Sequence, residues 1–274
     1  MVHLGLIGYP LRHSLSPEIH IAALKACGLE GDYSLFPVSP DDKQGLKSLL
    51  NRVRTGEITG LNVTIPHKQN VIPLLYELTP TAQAIGAVNT IYLRDNKLIG
   101  DNTDAPGFLT DLNKFLTTEN TEKNISALVI GAGGSARAVV YALVNNGWNV
   151  TIAARRIKQA KQLAASLMHH TIQLTNYQTL NDQRSTFNLL VNATPLGMAP
   201  NADQSPWPGN LPFPNASVYD LVYNPRETKL VKDARAQGLS ATTGLGMLIE
   251  QAALAFELWT GQCPPREIMR ASVG

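Results

Sequence analysis

The sequence predicts an α/β protein of two domains, and three observations carry that prediction. First, a short apolar run, Ala127–Ile130, leads into Gly131, Gly133 and Gly134 and then into a helical pattern from Ala136 to Asn146. Second, from His3 onward strand-like segments alternate with helical ones. Third, 274 residues with 44% hydrophobic and 16% charged content match about two domains with sizeable cores.

The glycine segment is the most informative. A buried strand, a glycine turn and a helix N-terminus make a pyrophosphate site. Gly131 suits the tight turn and Gly133 the close approach of a phosphate. Small Ala136 suits helix–strand packing, and Gly147 stops the helix.

The composition narrows the partners. Lys+Arg 23 against Asp+Glu 21 leaves +2, too balanced to suggest nucleic acid or an anionic membrane. A substrate anion must therefore be met by local groups. Cys27 and Cys263 have no metal-ligand spacing, so no metal is expected, and they suggest reduced thiols in a cytoplasm. No apolar run approaches the roughly 20 residues that span a membrane, and no signal segment is read at Met1.

In chain order, His3–Gly8 reads as a strand. Ser16-Pro17 opens a helix to about Cys27, with Ser16 as N-cap and Ser14 without such a duty. Two hydroxyls and a helix N-terminus after a strand also suit a carboxylate. Asp32–Val38 reads as a strand and Asp41–Arg52 as a helix. Leu61–Ile65 alternates as a strand, Pro66 ends it, and His67-Lys68 opens a helix. Asn62 and Thr64 share one face, and a polar pair on a central strand needs a reason. His67 reads as a surface or helix-start residue. Tyr76–Ala82 reads as a helix end and a turn, and Gly86–Leu93 as a strand with Asn89 near its start. Asp95-Asn96 turns a hairpin into Lys97–Gly100. Asp104 reads as a helix N-cap, with Pro106 in the first turn.

Ala105–Leu116 reads as a linking helix and Thr117–Asn124 as a polar linker. The strand Asn149–Ala153 should then end in an acidic residue if it binds the ribose of NAD. Instead it runs into Ala154, Arg155 and Arg156, and no acidic residue occurs between Gly131 and Asp182. Arginine there suits a 2′-phosphate, hence NADP. Phe187–Val191 and Ser217–Leu221 read as further strands, Thr228–Gln237 as a helix, and Gly244 opens a long apolar helix through about Trp259. Residues after about Met247 are expected to return to the first domain and bring Gln251 to its cleft. The expected division is 1–104, completed by 247–274, and 105–246.

With these segments laid out, the chain resembles the shikimate dehydrogenase family over nearly its full length. The motifs are Ser14-Leu-Ser16, Asn62-Val-Thr-Ile-Pro-His-Lys68, Gly86-Ala-Val-Asn89-Thr90, Asp101-Asn-Thr-Asp104, Gly131-Ala-Gly-Gly-Ser135, Asn192-Ala-Thr-Pro-Leu-Gly-Met198, Tyr223-Asn-Pro225 and Gly244–Gln251. The resemblance implies NADP-dependent interconversion of shikimate and 3-dehydroshikimate in aromatic biosynthesis. The implied fold has an α/β substrate domain with a mainly parallel sheet, a Rossmann-type NADP domain and C-terminal helices returning to the first. Lys68 and Asp104 match the catalytic pair. Ser14, Ser16, Asn62, Thr64, Asn89, Tyr223 and Gln251 match substrate positions. Cofactor positions fall on Gly131, Ala132, Gly133, Gly134, Ser135, Ala154, Arg155, Arg156, Thr194, Leu221 and Gly244. The family's basic turn commonly reads Asn-Arg-Thr with a later basic residue; here it is Ala154-Arg155-Arg156 with Gln159. Arg156 either supplies the second charge or points to solvent.

Hydride transfer at a secondary alcohol must be matched by a proton transfer, and Lys68 can take or give that proton. A quinate/shikimate dehydrogenase with broader substrate or cofactor use is the alternative enzyme. A non-catalytic dinucleotide-binding protein on the same fold is the other alternative, and retention of Lys68 and Asp104 argues against it. The chain is expected to act as a monomer or homodimer on a small molecule.

Overall fold

The structure, a computed structural model, describes residues 1–116, 125–167, 172–175, 187–209 and 211–274. The linker expected at Thr117–Asn124 lies outside them. The chain divides into two compact units, Met1–Gly107 with Ile249–Gly274, and Phe108–Leu248.

The first unit is a mixed sheet with helices. Its strands are β1 (Val2–Gly8), β2 (Gly31–Pro37), β3 (Gly60–Val63), β4 (Glu77–Leu78), β5 (Thr90–Arg94) and β6 (Lys97–Asp101), in the order β2-β1-β3-β5-β6-β4. β2, β1 and β3 run parallel. β5 runs antiparallel to β3, and the chain turns back through Asp95 and Asn96, both at positive φ, into antiparallel β6. The register places Ile7 beside Val63, Asn62 beside Thr90, and Thr90 beside Asp101. The C-terminal ends of β1, β3 and β6 and the start of β5 therefore share one end of the sheet.

Helices α1 (Ser16–Ala26), α2 (Lys43–Arg54) and α3 (Pro80–Ile85) belong to this unit. In α2, Leu46, Leu49, Leu50 and Val53 recur at helical spacing and are all buried. They cover one sheet face with Ile7, Leu61, Val63, Ile91 and Leu98. The opposite face meets the return of the chain. Helices α4 (Asp104–Phe115) and α8 (Leu245–Thr260) each carry the chain across a unit boundary, and α9 (Arg266–Ala271) follows. Phe256 and Trp259 of α8 pack around buried His20, which stacks on Tyr33 at 4.5 Å. Trp259 Nε1 donates to the Ile91 carbonyl at 3.2 Å.

Several local expectations change. The helix start at His67-Lys68 is a run of turns, followed by one 3-10 turn at Ile72–Leu74. The Gly86–Leu93 strand begins only at Thr90, because Gly86 at φ 67 first closes α3. Tyr76–Ala82 contains β4 and the start of α3, where Thr79 caps the Ala82 N–H at 3.2 Å. The N-cap of α1 is Leu15, not Ser16. Ser16 is the first helical residue, and its N–H donates to Ser14 Oγ at 3.3 Å. Ser14 thus takes the duty expected of its neighbour.

The second unit holds an all-parallel sheet of β7 (Ser126–Ile130), β8 (Asn149–Ala153), β9 (Ile172–Thr175), β10 (Leu189–Asn192), β11 (Ser217–Asp220) and β12 (Ala241–Thr243). The order is β12-β11-β10-β7-β8-β9, the doubly wound arrangement in which strand order reverses between β7 and β10. Helices α5 (Gly134–Asn145), α6 (Ile157–Leu167) and α7 (Lys229–Ala236) accompany it. The β-strands are near-continuous apolar runs, as strands covered on both faces require. Leu128, Ile130, Leu190, Val218, Leu230 and Val231 form part of that core.

Candidate active site

At the shared end of the first sheet, the Lys68 ammonium donates to Asp104 Oδ2 at 2.5 Å. Both side chains are largely buried, 10% and 6% exposed. The other carboxylate oxygen, Asp104 Oδ1, accepts from Asn89 Nδ2 at 2.9 Å. Burying an ammonium and a carboxylate costs several kcal/mol each unless they are paired and further hydrogen bonded, and both conditions are met here.

Asp104 does not act as the N-cap. It is the first residue of α4, and Asn102 Oδ1 accepts the Ala105 N–H at 3.2 Å instead. The Asp104 carboxylate is thereby free to face Lys68 and Asn89. Asn89 sits just before β5, with Nδ2 also near Thr103 Oγ1 (2.8 Å) and Gln251 Oε1 (3.1 Å). Its Oδ1 accepts the Thr103 N–H at 2.7 Å. Two amide hydrogens thus face three acceptors. Gln251 reaches Asn89 because α4 and α8 approach closely at Gly107, where a Cβ would meet Gln251 backbone and side chain at about 3 Å.

Asn62 is buried on β3. Tyr33 Oη donates to its Oδ1 at 2.8 Å, and its Nδ2 reaches the Asn89 carbonyl at 3.3 Å and Thr90 Oγ1 at 3.4 Å. That network is the reason a polar residue stands on a central strand. Thr64 is half-buried just past β3, its N–H on the Ile7 carbonyl. Ser14 is half-buried and Ser16 buried, following the end of β1. The first unit therefore brings Lys68, Asp104, Asn89, Asn62 and Gln251 into one hydrogen-bonded neighbourhood. Ser14, Ser16 and Thr64 stand at the same end of its sheet. Tyr223 and Gly244 lie in the second unit.

His67 corrects an expectation. It is not a surface residue but 1% exposed, with Nε2 at 2.7 Å from the Val38 carbonyl. Thr103 and Tyr33 were also missed: isolated hydroxyls carry no sequence signal until the register pairs their strands.

In the second unit, Gly131 adopts φ +119, where a side chain would be strained, and turns the chain between β7 and α5. A Cβ at Gly133 would meet nothing within 4 Å, so the first turn of α5 opens onto free space. Ala132, Gly134 and Ser135 are half-buried around it. Ile130 pairs with Ala153, which sets the end of β8 beside this turn. There Ala154 is half-buried and both Arg155 and Arg156 are exposed. An open helix N-terminus with arginines and no carboxylate at the neighbouring strand end fits a dinucleotide bearing a 2′-phosphate.

Across the switch point, Asn192 organises the loop after β10. Its Oδ1 accepts from Thr194 N–H (2.9 Å) and Oγ1 (2.7 Å), and its Nδ2 donates to Asp220 Oδ1 at 2.8 Å. Asp220, fully buried at the end of β11, also accepts from the Val222 N–H at 3.0 Å and from Thr228 Oγ1 at 2.7 Å. Burial raises its pKa to about 6, with the Thr228, Val222 and Asn192 bonds opposing the shift. Leu221 N–H bonds the Asn192 carbonyl, and Gly244 N–H bonds the Val222 carbonyl. Tyr223 follows, its phenol pKa raised by desolvation.

A doubly wound nucleotide-type sheet, joined in one chain to a unit bearing a buried lysine–carboxylate pair, defines a two-unit α/β dehydrogenase. Residues 6–91 match the family described as "Shikimate dehydrogenase substrate binding domain". Residues 115–197 match "Shikimate / quinate 5-dehydrogenase", and residues 244–273 match "Shikimate 5'-dehydrogenase C-terminal domain". The NADP(+) shikimate dehydrogenase of Salinibacter ruber is 43% identical over 95% of this chain and 93% of its own length. The Thermus thermophilus shikimate 5-dehydrogenase, solved with NADP(H) and shikimate, is 38% identical. It superposes with TM-score 0.85, covering 99% of this chain and 98% of that one. A quinate dehydrogenase from Corynebacterium glutamicum, solved with NAD, is 34% identical with TM-score 0.88 over 99% and 98%. The chain belongs to the shikimate dehydrogenase family.

Proposed function

We propose that this chain catalyses the reversible NADP-dependent reduction of 3-dehydroshikimate to shikimate, with Lys68 as acid and base and Asp104 as its partner. The observation that carries the proposal is the buried Lys68–Asp104 pair at 2.5 Å, held by Asn89. The bound nicotinamide supplies or accepts the hydride. In reduction, the Lys68 ammonium stabilises the developing alkoxide and gives it a proton. In oxidation, the neutral amine takes the hydroxyl proton. Asp104 orients the ammonium and offers a carboxylate to a substrate hydroxyl.

Other residues bind. Ser14 and Ser16 supply neutral donors for the substrate carboxylate; Asn62, Thr64, Asn89, Gln251 and Tyr223 supply polar contacts to the ring hydroxyls. Gly131–Ser135 receive the pyrophosphate, Arg155 and Arg156 the 2′-phosphate, and Thr194, Leu221 and Gly244 the nicotinamide side. Residues 1–104 with 247–274 serve as the substrate domain and 105–246 as the NADP domain.

The test is turnover of Lys68→Ala, Asp104→Ala and the double variant, with NADPH affinity measured separately by fluorescence titration. Lys68→Ala should lose about 10²–10⁴-fold in kcat, with NADPH affinity intact. The double variant should be little worse than the single, because the two residues act as one unit. Near-wild-type turnover in Lys68→Ala rules the mechanism out. Assays crossing shikimate and quinate with NADP and NAD define the substrate range.

A further inference from the structure

We infer that His67 is a positioning residue for Lys68, acting through one side-chain bond to the chain just past the end of β2. The inference rests on the role proposed for Lys68.

The turn that carries Lys68 follows β3 and is itself short of regular structure. The His67 N–H bonds the Thr64 carbonyl at 2.8 Å, and the His67 carbonyl accepts from the Val71 N–H at 3.1 Å. The Lys68 carbonyl accepts from the Val88 N–H at 2.8 Å. These bonds shape the turn and tie it toward β5. At its start the turn is joined to β1 by the Thr64 N–H on the Ile7 carbonyl at 2.8 Å and the Tyr9 N–H on the Ile65 carbonyl at 2.9 Å. The His67 ring adds a side-chain link further along, its Nε2 lying 2.7 Å from the Val38 carbonyl oxygen beyond β2. Val38 follows β2, and its own N–H donates to the Gly8 carbonyl at 3.0 Å, at the end of β1. The ring therefore ties the Lys68 turn to two strand ends at once.

The chemistry of that bond is unambiguous. A carbonyl oxygen only accepts, so Nε2 carries the hydrogen. The other nitrogen, Nδ1, is buried with no hydrogen-bond partner among the described residues. The imidazole thus spends its polar capacity on the Val38 carbonyl alone. An apolar ring would fill the same space but leave that carbonyl unpaired. A histidine at this position, one residue before the reacting lysine, is explained by the tether. It fixes the backbone from which the Lys68 side chain reaches Asp104. A displacement on the order of 1 Å at such a point costs about 10²-fold in rate.

Two substitutions separate the tether from the volume of the ring. His67→Phe keeps the ring and removes the donor; His67→Gln places an amide N–H near the position of Nε2. Each is measured for kcat and KM with 3-dehydroshikimate, for NADPH affinity by fluorescence titration, and for thermal midpoint, with Lys68→Ala alongside. His67→Phe should lower kcat by roughly 10–100-fold, with NADPH affinity and the substrate KM nearly unchanged. His67→Gln should restore most of the lost kcat. Wild-type kcat in His67→Phe, or equal loss in both variants tracking their thermal midpoints, overturns the inference. If Lys68→Ala is itself active, the role of Lys68 falls and this inference with it. If Lys68→Ala is inactive while His67→Phe is fully active, only the inference about His67 falls.

Discussion

Ser14 and Ser16 show how a one-residue shift redistributes roles. Ser16-Pro17 reads as a cap followed by proline, but Leu15, at φ −87 and ψ 0, already stands in the cap position. Backbone angles, not residue preferences, decide which residue occupies a helix boundary, and patterns leave it uncertain by one or two positions. Two outcomes follow. Ser14→Ala and Ser16→Ala should both raise the KM for shikimate more than they lower kcat, because the carboxylate is remote from the reacting carbon. Only Ser14→Ala should also lose stability, at most about 1 kcal/mol for a cap-type contact, since the Ser16 N–H then lacks its acceptor. A thermal midpoint lowered by Ser16→Ala alone contradicts this division. Asp104 shows the same limit: its type suits a cap, but Asn102 two residues earlier accepts the Ala105 N–H, and only tertiary contact reveals that Asp104 pairs with Lys68. His67 was illegible for a related reason, since the carbonyl that buries it is contributed by a residue 29 positions away.

Elements with a strong period or a strong stop were legible in the sequence. β8 falls where its apolar run ends, and α5 is bounded by the Gly131–Gly134 turn and by Gly147. The missed strands are short edge elements: β4 has two residues, β12 three and β9 four. Each is held by pairing to a longer neighbour, which a local pattern cannot express. The candidate cofactor end depends on the turn between β8 and α6. Arg155 and Arg156 are both exposed there, and substitution distinguishes them. A charge-assisted bond contributes roughly 1.5–3 kcal/mol, about one to two powers of ten in affinity. Arg155→Ala should weaken NADP by about that factor and leave NAD nearly unchanged, as read from dissociation constants for both. Arg156→Ala tested the same way shows whether the second arginine shares the phosphate. Equal loss of NADP and NAD affinity removes the assignment of either residue.

At the scale of the molecule, His20 in the first unit and Asp220 in the second are buried groups whose shifted pKa values lie in the acid range, and the shifts have opposite consequences. Burial lowers the His20 pKa to about 3, the Asn62 side chain opposing. Between about pH 6.5 and 3 the unfolded chain binds a proton that the folded first unit refuses. That unit therefore loses stability as pH falls, by up to about 1.4 kcal/mol per pH unit. Asp220 is raised to about 6, so from about pH 6 down to 4 the folded second unit takes a proton first. Its contribution to stability grows as pH falls and is lost as pH rises through 6. Hydrogen exchange followed segment by segment from pH 7 to 4 should show the first unit opening before the second. His20→Phe should flatten the dependence of the first unit, and Asp220→Asn that of the second. The same slope in both units, unchanged by either substitution, contradicts the account.

The first unit is drawn from residues 1–107 and 249–274, with the whole second unit between them. A ribosome releases the chain in order, so the nucleotide-type sheet is complete while the sheet before it still lacks its last helices. Domains fold as units during synthesis, and here the earlier-made one must wait for the later. Gln251, which meets Asn89, and Trp259, which bonds Ile91 and packs on His20, arrive only after the whole second unit has been made. The neighbourhood of Lys68 is therefore finished only when translation has passed the end of α8, and a chain interrupted before that point carries the lysine without the surroundings that give it work.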